Sequence, residues 1–208
     1  SGNLVKAIIE DSQGRIVMAT DKSIDIFENG TRLPTPDAIV KLGAITSGAL
    51  HEDTQQRLWI GTDAHAFYMF ANGAVTAYTT ADGLPGNRVL SMHDDGHGGL
   101  WLGTTGGLGR IRDGKALSLA RGAGPQTETV LQILPDRNDT YWITTNRGLF
   151  AIAGRDLETF ASGESRTLTY RSYGIADGLR TSEFNGGNTR PGSVMPDGSL
   201  WLPTIRGI

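Results

Sequence analysis

Three observations predict an all-β chain: a β-propeller with blades of four antiparallel strands, forming an incomplete ring of about four and a half blades. The first is internal repetition. RLWIGTD at 57–63, LWLGTT at 100–105, YWITTN at 141–146 and LWLPT at 200–204 are copies of one segment, and RIVMATD at 15–21 is a degenerate copy with Val17 at the Trp position. The second is spacing. Val17, Trp59, Trp101, Trp142 and Trp201 stand 42, 42, 41 and 59 residues apart, and a period in the low forties with one aromatic per unit is the mark of propeller blades. The third is composition: 29 glycines among 208 residues, with 7% aromatics, which suits many tight turns between short strands.

Each unit resolves into four strands. In the third, residues 89–93 form a strand and Asp94-Asp95-Gly96-His97-Gly98-Gly99 a turn. Residues 100–104 form the second strand, 105–108 a turn, 109–112 the third strand, and Asp113-Gly114 leads into a fourth at 116–119. Asn29-Gly30, Asn72-Gly73, Asp113-Gly114 and Asp197-Gly198 suit type I′ turns, in which both central residues need positive φ. The second strand, LWIG or LWLG, is apolar at successive positions, as expected of a strand covered on both faces. Its Trp fills the space between adjacent sheets, burying about 150–250 Å². Gly61 and Gly103 leave room where blades converge, and the Thr after each can bond the next turn.

The chain reads as one propeller fragment, 1–208, with units near 4–42, 43–86, 87–128, 129–185 and 186–208. The fourth unit carries roughly seventeen extra residues. In them Asp156 is placed to cap a helix of one or two turns on the outer rim, Gly163 to end it, and 168–173 to form a longer outer strand. Seven units of this length need about 294 residues, so four and a half cannot close such a ring. Their open edges invite self-association.

Composition narrows function. A net charge of -3 offers no basic footprint for nucleic acid. The absence of cysteine excludes disulfides and thiolate metal sites. No apolar run approaches the roughly 18 residues of a membrane span. The opening SGNLVKAIIED lacks a secretory signal and reads as a start inside a longer protein.

The units resemble the two-component regulator propeller family. Asn87-Arg88-Val89-Leu90-Ser91-Met92 leads to Asp95, Gly99, Leu100-Trp101-Leu102-Gly103-Thr104 and Gly107-Leu108-Gly109-Arg110. Asp82-Gly83-Leu84 and Asp177-Gly178-Leu179 match the link between blades, and 182–187 looks like the segment that ends such propellers. The first unit departs in lacking Trp, and the fourth has Thr144 where Gly is usual. The resemblance implies the periplasmic, ligand-sensing input module of a bacterial sensor anchored in the inner membrane. The histidine kinase or diguanylate cyclase output would lie elsewhere in a parent that is itself dimeric. The chain would then be no enzyme, with no catalytic residues, metal or cofactor, and its partner a small-molecule or glycan-like ligand. Two alternatives stand beside this: an enzyme resembling streptogramin lyases, suggested by Gly109-Arg110-Ile111, and a protein-interaction propeller.

Propeller geometry places the loop between the second and third strands on the same face as the blade-to-blade links. Candidate ligand-binding residues there are Asp63, His65, Asn87, Arg88, Asn146, Arg147, Glu183, Asn185 and Arg206. Arg88, Arg147 and Arg206 offer paired donors to a carboxylate or sugar acid; as ordinary turn residues they would be solvated. His93 and His97 flank two aspartates, but glycine-rich turn spacing argues for a plain turn over a metal site.

Overall fold

The computed structural model describes residues 4–43, 47–63, 66–122, 124–186 and 191–208. The repeats fold into four four-stranded antiparallel sheets and one of two strands. The first blade comprises β1 (Val5–Glu10), β2 (Ile16–Thr20), β3 (Ile24–Glu28) and β4 (Thr31–Leu33), followed by the short helix α1 (Asp37–Val40). The second comprises β5 (Ser47–Glu52), β6 (Leu58–Thr62), β7 (Phe67–Ala71) and β8 (Ala74–Tyr78). The third comprises β9 (Val89–Asp94), β10 (Leu100–Thr104), β11 (Gly107–Arg112) and β12 (Lys115–Ser118). In the fourth, β13 (Val130–Pro135), β14 (Thr140–Thr145) and β15 (Leu149–Ala153) precede α2 (Gly154–Ser162) and β16 (Arg171–Tyr173). The fifth blade is represented by β17 (Ser193–Val194) and β18 (Leu200–Trp201). Strands β1, β5, β9, β13 and β17 neighbour one another in turn, so each blade runs outward from a shared axis. No sheet pairing joins the first blade to the last among the described residues.

Blade contact explains the glycines. A Cβ on Gly103 would lie 2.7 Å from Val130 Cγ1 and 2.8 Å from its carbonyl oxygen, both on the first strand of the next blade. At Gly61 the same approach is made by Val89, at 3.1 Å. Ala19 and Thr144 occupy this position in the first and fourth blades, and both are fully buried. The Trp residues respond to the same neighbour. Trp59 and Trp101 are buried, whereas Trp201 is 54% exposed, because no further blade covers it. Trp142 is only partly buried, so the expectation of a buried Trp holds at Trp59 and Trp101 but not at Trp142 or Trp201.

A single carboxylate organises each turn between the first two strands. Asp53 Oδ1 accepts from the main-chain N–H groups of Gln55 (2.9 Å) and Arg57 (3.0 Å), while Oδ2 accepts from Arg57 Nε (2.5 Å) and the Trp59 indole (2.6 Å). Asp136 repeats this with Asn138, Thr140 and the Trp142 indole, the last at 2.8 Å. In the first blade, where Val17 replaces Trp, Arg15 alone takes the second oxygen of Asp11, at 2.7 Å. In the third, Arg110 takes that of Asp95, at 2.9 Å from Nε and 2.5 Å from Nη2. Desolvation works against ionisation of Asp53, Asp95, Asp11 and Asp136. Their side-chain and backbone hydrogen bonds outweigh it and lower each pKa.

At the other end of the second strand, Thr20, Thr62, Thr104, Thr145 and Thr204 each donate Oγ1–H to a carbonyl of the next turn, at 2.6–3.3 Å. The expected threonine–turn bond is therefore present in all five units.

Several local expectations are corrected. Strand β9 runs on to Asp94 and β11 begins at Gly107, because Thr104 closes its turn onto the Gly107 carbonyl and leaves only Thr105 and Gly106 between strands. Positive φ at both residues holds for Asn29-Gly30, Asn72-Gly73 and Asp113-Gly114, but at Asp197-Gly198 only Gly198 has it. That pair lies between β17 and β18, where Asp197 Oδ1 accepts from Ser199 N at 2.9 Å. Asp156 does not cap α2. The N-cap is Ala153, without a side-chain bond, and Asp156 sits in the first turn, while Gly163 closes the helix in the left-handed region as expected.

Helix α2 also packs against the blades. Leu157 and Phe160 are fully buried in one cluster with Trp101 and Leu119 of the third blade and Ile143 of the fourth. Glu158 receives Arg110 at 2.9 and 3.0 Å, and Arg121 donates to the Phe160 carbonyl. The outer strand after this helix is shortened to β16.

Two outcomes are expected. Gly103→Ala should cost about 1–3 kcal/mol in thermal or urea unfolding, whereas Gly174→Ala, whose new Cβ meets nothing within 4 Å, should stay within about 0.5 kcal/mol. Asp53→Ala should cost about 2–3 kcal/mol, since it strands the Trp59 indole and Arg57. Because the four turn carboxylates have lowered folded pKa values, their contribution is complete above the unfolded value of about 4. It should fade as pH falls through the folded values, which unfolding between neutral and acid pH will register.

Candidate functional site

The strand order leaves two places for a ligand: the loop face and the axis. The loop face carries eight of the nine candidate residues; His65 lies outside the described residues. Asp63 comes directly after β6, and its Oδ1 lies 3.2 Å from Arg88 Nε in the link to the third blade, with both side chains about half exposed. Asn87 is committed to structure. Its Oδ1 accepts from Thr80 N at 2.9 Å, pinning the single helical turn Thr80–Asp82. Asn146 and Arg147 form the turn between β14 and β15. Asn146 is exposed, and Arg147 reaches Glu128 at 3.3 Å while remaining 71% exposed.

Glu183, Asn185 and Arg206 are brought together by the backbone. Phe184 bridges Thr204, Asn185 Nδ2 donates to the Thr204 carbonyl at 2.9 Å, and Arg206 N bonds Thr204 Oγ1 at 3.1 Å. The Glu183 carbonyl accepts from Ile205 N at 3.4 Å. The candidates therefore form three local groups: one ion pair across the second and third blades, one in the fourth, and one cluster in the fifth.

The axis holds a cavity of about 350 Å³, lined by the inner strands β5, β9, β13 and β17. None of the eight described candidates lines it. Its polar side chains are His51, Ser91, His93, Gln132 and Ser193, set among Leu50, Leu90, Met92 and Ile133. Apart from His93, weighed above only as part of a turn, these residues escaped sequence reasoning, although the period could have found them. Ser91 and Gln132 are one unit apart, as are His51 and His93, so each pair occupies one position of the repeat. His51 Nε2 lies 3.2 Å from Asp94 Oδ2, joining the second blade to the third. His97 only donates its main-chain N–H to Asp95. Among the described residues no group of three or more His, Asp or Glu is placed to hold a metal ion.

A second cavity of about 340 Å³ lies on the first blade, lined by Lys22, Ser23, Arg32, Thr35 and Ile39 among others. Arg32 there is tied to the buried carboxylate of Asp25.

The fold and its repeat define an all-β propeller with an incomplete ring. Residues 83–106, mostly in the third unit, match the model of the family described as two component regulator propeller. No curated protein matches the chain in sequence. Among solved structures, it is similar to virginiamycin B lyase from Staphylococcus aureus, at 18% identity and TM-score 0.64, over 97% of this chain and 63% of that one. It is similar to the extracellular domain of a putative hybrid two component system from B. thetaiotaomicron, at 19% identity and TM-score 0.51, over 97% and 32%. It is also similar to PorZ, a surface component of the type-IX secretion system of Porphyromonas gingivalis, at 14% identity and TM-score 0.70, over 98% and 31%. Identities this low speak to a shared fold. The chain spans less than two thirds of each of these proteins. No helix among the described residues is long and apolar enough to cross a membrane.

The Asp63–Arg88 pair is exposed, and exposed pairs contribute little to stability. Arg88→Ala should therefore change the unfolding free energy by less than about 0.5 kcal/mol. A larger loss in a denaturant titration would give that pair a structural role.

Proposed function

We propose that the chain is the extracytoplasmic ligand-sensing input module of a bacterial membrane-bound signalling protein, periplasmic and tethered to the inner membrane, with its kinase or cyclase output in another part of the parent. The observation that carries this reading is the regulator-propeller repeat at 83–106, set within consecutive blades of the same pattern. The similarity to extracellular domains of hybrid two component systems supports it. The ligand is a small molecule or glycan. The open blade face at Trp201 and Ile205, each 54% exposed, gives the fragment a surface for self-association. A thermal-shift screen against sugars, sugar acids and plant- and host-derived glycans tests the sensing role. A concentration-dependent rise in Tm with at least one of them is expected, and no stabilisation by any small molecule would overturn it.

A second reading, a lyase, draws on the similarity to virginiamycin B lyase, a catalytically inactive variant of which was solved with quinupristin. Under the sensing reading, prolonged incubation of the chain with quinupristin should produce no conversion by liquid chromatography. Turnover would make the chain an enzyme.

A further inference from the structure

We propose that the axial cavity binds a small, neutral, polyhydroxylated molecule through Gln132 and Ser91, with His51 and His93 beside it. This deepens the sensing reading and rests on it for its biological use.

The strongest sign is a buried acceptor without a donor. Gln132 is 3% exposed. Its Nε2 donates to the Gly192 carbonyl at 2.9 Å, which fixes the amide orientation, because only the nitrogen can donate there. The opposite atom, Oε1, is buried and has no hydrogen-bond partner among the described residues. A buried amide oxygen in this state calls for a donor from outside the protein.

One unit earlier, Ser91 Oγ accepts from Ile133 N at 3.0 Å, so its own proton is available to donate. The two positions thus present an acceptor and a donor on adjacent inner strands, a pairing that hydroxyl groups satisfy in both roles. Among the described residues, no Lys, Arg, Asp or Glu lines the cavity. An anion or cation entering it would lose hydration without gaining a countercharge, and this disfavours the sugar acids that the exposed arginines suit. Leu50, Leu90, Met92 and Ile133 supply apolar wall against carbon-bound faces. The volume of about 350 Å³ falls at the lower end of small-ligand pockets and selects a compact occupant.

The test uses the chain with isotope-labelled histidine and tracks the imidazole signals of His51 and His93 by NMR. Glucose and myo-inositol serve as neutral probes and glucuronate as the charged one, each to about 50 mM, a range that captures millimolar affinity. A saturable shift of His51 and His93 with a neutral probe is expected, with glucuronate weaker. Gln132→Leu and Ser91→Ala should each weaken binding about tenfold, while near-UV circular dichroism confirms that both variants fold. Imidazole signals unmoved by every neutral probe would mean that the cavity holds water only and would overturn the proposal. So would a folded Gln132→Leu variant that binds as well as the parent. Glucuronate binding that is abolished by Arg88→Ala and leaves the axial histidines unmoved would sink the axial site and leave the sensing role intact.

Discussion

Everything in this propeller hangs on a carboxylate at the turn between the first and second strands of each blade. Placed six residues before the Trp, the aspartate takes two turn N–H groups on one oxygen. Its other oxygen takes an indole or a guanidinium. In the second and fourth blades it thereby does two jobs: it holds the hairpin closed, and it satisfies the indole N–H of Trp59 or Trp142. In the third blade Asp95 takes the Arg110 guanidinium and not the Trp101 indole. The fifth unit illustrates the effect of a changed spacing. Asp197 stands only four residues before Trp201, and its bonds go to Ser199 and not to the indole.

Blade stacking builds on this anchor by close approach. The second strand of one blade presses on the first strand of the next, and the small residue after the Trp sets how near they come. The same residues that make the repeat recognisable therefore build the scaffold, and they carry no information about a ligand. Family matching at 83–106 speaks to the scaffold for the same reason.

This division explains how much could be read from the sequence. The blades, their order, the threonine–turn bonds and three of the four type I′ turns were legible, because each rests on a local rule that recurs at a fixed period. The packing role of α2 was not legible, since burial of Leu157 and Phe160 depends on a neighbouring blade and not on their own segment. Loop-face polar residues were easy to nominate, yet Asn87 proved to be a structural pin. The axial residues were hidden for the opposite reason. Gln132 and Ser91 sit within apolar strands, and only the curvature of the ring turns one edge of each strand toward a common space.

The insertion of α2 has a consequence for how the array holds together in time. In a repeat protein, local stability is set by each unit and its nearest interfaces, so an array with equal interfaces opens most readily at its ends. Here the interface between the third and fourth blades is reinforced by a buried helix, by the Arg110–Asp95–Glu158 network and by Arg121 on the helix carbonyl. Among the described blades, that pair should therefore exchange its amide protons most slowly.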